Sequence, residues 1–113
     1  MARTIAIIAA AIALTATVAP SAHAAGKGLD LIKKGDCIAC HTFKNSEPKK
    51  LGPSYEAVAK KYKGNKKAPA MLADKIKKGG SGNWGTMAMT PHPALSAGDL
   101  NAMVDWILKE GGK

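Results

Sequence analysis

Four segments of the chain place apolar residues at the three- and four-residue spacing that is typical of an amphipathic α-helix. They cover residues 27–35, 54–63, 69–78 and the stretch that follows Ser96. Their apolar stripes are Leu29 and Ile32; Tyr55, Val58, Ala59 and Tyr62; Met71, Leu72 and Ile76; and Leu100, Met103, Val104 and Ile107. No segment alternates between apolar and polar residues as a half-buried strand would. The pattern predicts the all-α class with about four short helices.

Turn and capping residues mark the ends of these helices. Ser54 and Ser96 stand at N-cap positions, where a hydroxyl oxygen can accept from a free backbone N–H. Between the last two helices, residues 79–96 contain four glycines and two prolines and show no periodicity. We predict a long loop there, and a loop of that length in a small domain usually has a function.

The N-terminal 24 residues follow a different pattern. Arg3 precedes an uncharged, mostly apolar run from Ile5 to Val18, and the small-residue sequence Ala22-His23-Ala24 follows. This order is typical of a secretory signal peptide that is cleaved after Ala24. The apolar run is shorter than the roughly 20 residues that a membrane-spanning helix needs. We therefore predict a signal peptide over residues 1–24 and a periplasmic domain over residues 25–113.

The predicted mature domain is small and strongly basic. It contains sixteen lysines, no arginine and eight acidic residues, which leaves a net charge of +8. Such a charge increases solubility and can also steer acidic partners towards the protein. Export argues against a nucleic-acid partner. A domain of this size often needs a disulfide, a metal or a cofactor to stabilise its small core. A disulfide between two cysteines only three positions apart would close a very small loop and add little stability.

Both cysteines stand in the motif Cys37-x-x-Cys40-His41, for which three chemistries compete. A zinc site would need a fourth ligand, for which only His92 is available, and adjacent Cys and His residues chelate poorly. A redox-active dithiol would lie beside a βαβ unit, which the pattern does not contain. The third reading is covalent attachment of haem c, in which two thiols add to the porphyrin vinyl groups and His41 binds the iron. Export and the lack of other cysteines favour this reading.

A haem iron held by His41 leaves open the identity of its sixth ligand. The downstream candidates are Met71, Met87, Met89, His92 and Met103. Met71 and Met103 belong to helical apolar stripes and are explained as core residues. Met87, Met89 and His92 lie in the long loop, and their spacing alone does not separate them. A methionine ligand would favour electron transfer, whereas a vacant position would favour ligand binding or oxygen chemistry.

The sequence resembles the small bacterial class I cytochromes c, specifically the cytochrome c-551 (c8) type. The resemblance rests on "GDCIACH", "LGPSYEAVAKKY", "IKKGGSGNWGTMAMTP" and "LSAGDLNAMVDWILK", which together span most of the predicted mature chain. It implies a class I fold of short helices around one covalently bound haem c. It also implies that the protein carries single electrons between respiratory partners and is not an enzyme.

The resemblance also assigns individual residues. The ligand methionine of the family lies five positions after the tryptophan of its Trp-Gly pair, which makes Met89 the axial partner of His41. Pro53 corresponds to the proline whose carbonyl accepts from the proximal histidine, and Trp84 to the tryptophan that donates to a haem propionate. The loop between His41 and Pro53 is about three residues longer than the family pattern. Trp106 is expected to pack against the first helix or the haem edge.

The family assignment implies partners but does not identify them. We expect acidic-faced redox proteins such as an oxidase, a nitrite reductase, a peroxidase or a cytochrome bc1-type donor, no stable membrane insertion and a monomer. The alternative is a ligand-binding or peroxidase-like haem c protein in which the distal ligand is displaceable.

Overall fold

Five helices and one small hairpin make up residues 22–113, the part of the chain that the computed structural model describes. The helices are α1 (Ala22–Lys34), α2 (Cys37–Cys40), α3 (Tyr55–Lys61), α4 (Ala68–Lys78) and α5 (Ala97–Glu110). The strands are β1 (Gly80–Gly82) and β2 (Gly85–Met89). Nearly all of the predicted signal peptide lies outside the described residues, so its cleavage stays a prediction.

The four predicted helices are all present, and both predicted N-caps are formed. Ser54 Oγ accepts from the N–H of Ala57 at 3.0 Å, and Ser96 Oγ accepts from the N–H of Asp99 at 3.1 Å. The first helix begins at Ala22, five residues before its predicted start, and therefore runs through the predicted cleavage position. Within residues 22–113, no helix is both long enough and apolar enough to span a bilayer.

The segment that follows α4 differs from its prediction as an irregular loop. Strands β1 and β2 pair antiparallel, with Gly80 opposite Met89 and Gly82 opposite Gly85. All three of these glycines have positive φ, a conformation that costs little without a Cβ. The prediction that no strand occurs was wrong here because the strands are short, largely exposed and held by backbone pairing, so they lack apolar alternation. The hairpin returns Met89 to the C-terminal end of α4.

The core lies where α5 packs against α1, α3 and α4. Ile32 is fully buried, and Met103 and Val104 are each 2% exposed. Gly28 allows α1 to approach α5 closely, because a Cβ at this position would lie 2.2 Å from the carbonyl oxygen of Ala102. Met71, which the periodicity placed inside, is 36% exposed. This prediction was wrong because the inward face of α4 follows the four-residue step from Leu72 to Ile76, and Met71 lies one position to the side.

Candidate cofactor site

A cleft opens between α2, the start of α3, α4 and the hairpin. Its empty volume, including the open mouth, is about 1180 Å³. The six residues predicted to serve the cofactor all line this cleft: Cys37, Cys40, His41, Pro53, Trp84 and Met89. Its apolar floor is formed by core residues, namely Val58, Leu72, Ile76, Met103 and Ile107. The fold therefore brings together residues that are up to 52 positions apart in the sequence.

The two cysteines lie on the single turn of α2, and their thiols are not joined in a disulfide. His41 follows as the C-cap, and its backbone N–H donates to the carbonyl of Cys37 at 2.9 Å. Burial raises the pKa of the Cys37 thiol, and the negative charge of Asp36 adds to the increase. This turn presents both thiols and the imidazole to the same cleft.

The His41 imidazole is held in place from two sides. Its Nδ1 lies 2.7 Å from the carbonyl oxygen of Pro53, which can only accept, so Nδ1 donates and Nε2 keeps its lone pair in the neutral ring. The ring stacks on Tyr55 at a centroid distance of 5.3 Å. Gly52 also lies close to the ring, and a Cβ at this position would lie only 2.5 Å from His41 Cε1. The position next to Pro53 must therefore be glycine for the ring to adopt this orientation.

Acidic side chains brace the loop that carries Pro53. The Glu47 carboxylate accepts from the backbone N–H groups of Phe43 and Lys44 at 3.0 and 2.7 Å. The Asn45 N–H donates to Glu56 on α3 at 2.7 Å. These bonds satisfy three backbone N–H groups of the loop. The His41–Pro53 contact forms with the loop held in this arrangement.

Tyr55 is a site residue that the sequence reasoning assigned only to the core. It is 5% exposed, lines the cleft and places its hydroxyl beside the Cys37 thiol. Burial raises the pKa of this hydroxyl, and the neighbouring Cys37 adds to the increase. Phe43 and Trp106 pack around the Tyr55 ring at centroid distances of 5.8 and 5.9 Å. Its position directly after Pro53 and Ser54 was the one sequence feature that could have placed it near the site. The apolar periodicity of the helix explained Tyr55 equally well as a core residue.

The candidate distal ligands occupy different environments. Met89 ends β2, lines the cleft and packs partly buried against the core. Met87 also lines the cleft but is 59% exposed. His92 instead places its Nε2 2.8 Å from Oδ1 of Asp36. Met103 is a buried core residue of α5 at the cleft floor, as its stripe predicted.

Trp84 stands at the turn of the hairpin and is 44% exposed. The Lys61 ammonium lies 4.3 Å from the centre of its ring and donates to the carbonyl of Asn83 at 2.7 Å. The ring also meets Tyr62 edge to face, at a centroid distance of 6.5 Å. These contacts attach the hairpin turn to α3 and hold Trp84 at the rim of the cleft.

The zinc reading finds no support in the arrangement of donors. Over residues 22–113, no three His, Cys, Asp or Glu side chains converge on a point that could hold a metal ion. His92, the only candidate for a fourth zinc ligand, is engaged with Asp36. Two thiols, an imidazole and a thioether instead line the walls of a mainly apolar cleft.

Comparison with known proteins identifies the family of the chain. The family model described as cytochrome c matches residues 25–110. The chain belongs to the cytochrome c family. It is 44% identical to cytochrome c-551 of Allochromatium vinosum over 81% of this chain and 92% of that one. The crystal structure of wild-type Nitrosomonas europaea cytochrome c552 superposes with a TM-score of 0.63, at 45% identity, over 71% of this chain and 95% of that one.

A second solved structure supports the class of fold. The class 1 cytochrome MtoD from Sideroxydans lithotrophicus ES-1 matches with a TM-score of 0.59 at 29% identity, over 74% of this chain and 91% of that one. The predicted class I fold and the cytochrome c-551 resemblance are both confirmed. This cytochrome therefore binds one covalently attached haem c with its iron, and it is an electron carrier rather than an enzyme.

Proposed function

We propose that this cytochrome is a periplasmic single-electron carrier whose haem is attached at Cys37 and Cys40 and whose iron is ligated by His41 and Met89. The observation that carries the proposal is the His41–Pro53 hydrogen bond of 2.7 Å. It fixes the imidazole with its Nδ1 proton turned away and its Nε2 lone pair available, in a cleft that both cysteines and Met89 also line. A carbonyl that accepts from the Nδ1–H of a metal-bound histidine orients the ring and makes its other nitrogen more basic.

The cysteines suit covalent attachment because they share one helical turn at the cleft wall. In a thioether, each sulfur bonds to one vinyl carbon while the thiol hydrogen goes to the other. Both thiols are partly buried and neither is consumed in a disulfide.

Met89 is favoured over the other distal candidates by its surroundings. Strand β2 places it at the cleft, and the backbone of this residue presses against Gly79, where a Cβ would lie 2.4 Å from the Met89 carbonyl oxygen. Met87 is mostly solvent-exposed, and the Nε2 of His92 is occupied by Asp36. A thioether ligand stabilises reduced iron and raises the reduction potential, which suits an electron carrier.

The role of the protein is to hold and shield the redox centre. The haem supplies the one-electron chemistry when it is bound. The buried floor excludes water from one side of the cleft, and Leu51, which is 64% exposed, stands at its mouth. The buried apolar wall sets the reduction potential of the haem, and the open mouth on the other side lets electrons pass to a partner.

The residues near the mouth of the cleft favour one class of redox partner. Lys49 and Lys50 directly precede Leu51, and Lys75 lines the cleft. An apolar contact rimmed by ammonium groups suits acidic-faced redox proteins, among which we include an oxidase, a nitrite reductase, a peroxidase or a bc1-type donor. Their encounter should weaken as the ionic strength rises. Periplasmic location is supported by the signal-peptide pattern and by the start of the family match at residue 25, directly after the predicted cleavage position.

Spectra of the oxidised holoprotein test the ligand assignment. Methionine-ligated ferric haem has a weak far-red band that other sixth ligands do not produce. We expect this band in the wild type and in Met87→Ala, and its loss in Met89→Ala. Met87→Ala is the matched control because it removes a thioether two residues away on the same strand. If the band is missing in the wild type, or persists in Met89→Ala, the assignment of Met89 is wrong. Ready cyanide or carbon monoxide binding by the wild type would then favour a ligand-binding haem protein.

A further inference from the structure

One hydrogen bond joins the attachment segment to the distal segment of the cleft. The Asp36 carboxylate oxygen Oδ1 lies 2.8 Å from Nε2 of His92, across 56 positions of sequence. Asp36 immediately precedes Cys37, and His92 follows Met89 by three residues. Because a carboxylate can only accept, Nε2 donates. The bond therefore bridges the two halves of the chain that enclose the haem.

The Asp36 side chain forms this bond instead of a helix cap. Asp36 occupies the N-cap position of α2, where an aspartate usually accepts from the N–H groups of the first turn, but its side chain makes no such bond. The carboxylate turns instead to His92, and the hydrogen bond from His92 lowers the pKa of the Asp36 carboxyl. The Asp36 carboxylate therefore makes a long-range contact in place of a local helix cap.

His92 is anchored on its backbone side as well. Its N–H donates to the carbonyls of Ile76 and Lys77 at the end of α4, at 3.0 and 3.2 Å. Its side chain is only 20% exposed, whereas that of Asp36 is 71% exposed. Within residues 22–113 its Nδ1 is buried and has no hydrogen-bond partner. Burying an unpaired nitrogen costs free energy. The hydrogen bond from Nε2 to Asp36 is the favourable polar contact that the ring makes in this position.

We propose that the Asp36–His92 hydrogen bond is a clasp that positions the Met89 segment against the haem-attachment turn. The inference rests on the proposed ligation by Met89. His92 and Asp36 are positioning residues, since they act through the backbone that carries Met89. With the clasp closed, the Met89 segment is held at α4 and at α2. With it open, the contacts with α4 and the pairing with β1 remain but the link to α2 is lost, and Met89 leaves the ferric iron more often.

Cyanide binding to the ferric holoprotein measures this opening, because cyanide enters only when the sixth position is free. We expect Asp36→Ala and His92→Ala each to accelerate cyanide binding about two- to fivefold, the range for an exposed charged hydrogen bond. The double variant should be no faster than either single variant, because the two side chains act as one unit. Asp36→Asn should restore most of the wild-type rate, since its amide carbonyl can still accept from Nε2.

Asp105→Ala is the matched control, because it also removes one exposed carboxylate from an ion pair, with Lys109, but on α5 at a position that does not line the cleft. It should leave the cyanide rate unchanged. Additive effects of the two clasp variants would overturn the proposal, as would equal rates in Asp36→Ala and Asp105→Ala. An acceleration that merely follows a lower guanidinium midpoint would also overturn it. If the wild type lacks the far-red band, the proposed ligation itself has failed, and this result is distinguishable from a failure of the clasp alone.

Discussion

Replacement of Gly52 by alanine should displace the proximal histidine. The added Cβ would lie 2.5 Å from Cε1, 2.8 Å from Nδ1 and 3.0 Å from Nε2 of His41. Ordinary carbon contacts are about 3.5–4.0 Å, so the overlap is roughly 1 Å. The ring cannot move aside without cost, because it donates to Pro53 and stacks on Tyr55. The Gly52 N–H is itself bonded to the carbonyl of Cys40 at 2.8 Å, which limits movement of the loop.

The magnitude follows from opposing terms. Overpacking of this kind costs about 1–3 kcal/mol. Loss of a hydrogen bond adds about 0.5–1.5 kcal/mol if the His41–Pro53 contact breaks. Against this, replacing glycine with alanine stabilises by about 0.4–1 kcal/mol through the unfolded state. The expected net loss is about 1–3 kcal/mol in the free energy of unfolding of the holoprotein.

Equilibrium guanidinium unfolding, followed by circular dichroism, measures this change. NMR of the reduced holoprotein should show a shifted His41 ring resonance in the same variant. Gly98→Ala is the control, because this exposed glycine of α5 has no atom nearer than 4.0 Å to the added Cβ, and its helical backbone favours alanine. It should be neutral or stabilising by about 0.5–1 kcal/mol. If Gly52→Ala is as stable as the wild type and leaves the His41 resonance unchanged, the steric argument is wrong.

Three further outcomes test the fold. Ile32→Ala should lower the free energy of unfolding by about 2–5 kcal/mol, because this side chain is fully buried; a loss below about 1 kcal/mol in the same guanidinium titration would contradict the packing. Ser96→Ala should lose about 1 kcal/mol with the N-cap, measured by thermal unfolding, and Ser96→Thr should retain most of it. The hydrogen bond from Lys27 lowers the pKa of the Asp99 carboxyl below its ordinary value of 3.8. The stability that the Asp99 carboxylate contributes is therefore present above that value, and it is lost as the pH falls through the pKa of the folded state. The stability difference between the wild type and Asp99→Asn should therefore shrink as the pH falls below the ordinary value of 3.8; a constant difference would exclude this linkage.

The two ends of the proposed haem site depend on different kinds of structure. The proximal end is local, since Cys37, Cys40 and His41 lie within one helical turn and its C-cap. The distal end is assembled from a hairpin, from Gly79 and from the contact between Asp36 and His92. Local structure survives small changes elsewhere, whereas an assembled segment opens at lower cost. Changes in ligation should therefore begin on the distal side.

Local patterns carried most of the fold. Helices and their caps depend on neighbours three and four residues apart, which is why Ser54, Ser96 and the four apolar stripes could be located in advance. The attachment motif was equally legible, since its chemistry needs fixed spacing over five residues. The hairpin was not predicted, because backbone pairing between glycine-rich strands leaves no apolar signature.

The sequence by itself determined which groups could serve the cofactor: two thiols and an imidazole in one motif, and a small set of thioethers downstream. Spacing alone could not choose between Met87 and Met89, because they differ in burial and not in kind, and it was the family resemblance that favoured Met89. Only the tertiary structure decided that Gly52 must leave room for His41, that Tyr55 lies beside Cys37 and that Asp36 turns to His92. The physical reason is range: spacing along the chain specifies contacts within one helical turn, whereas contacts across 56 residues exist only once the core has placed both segments side by side.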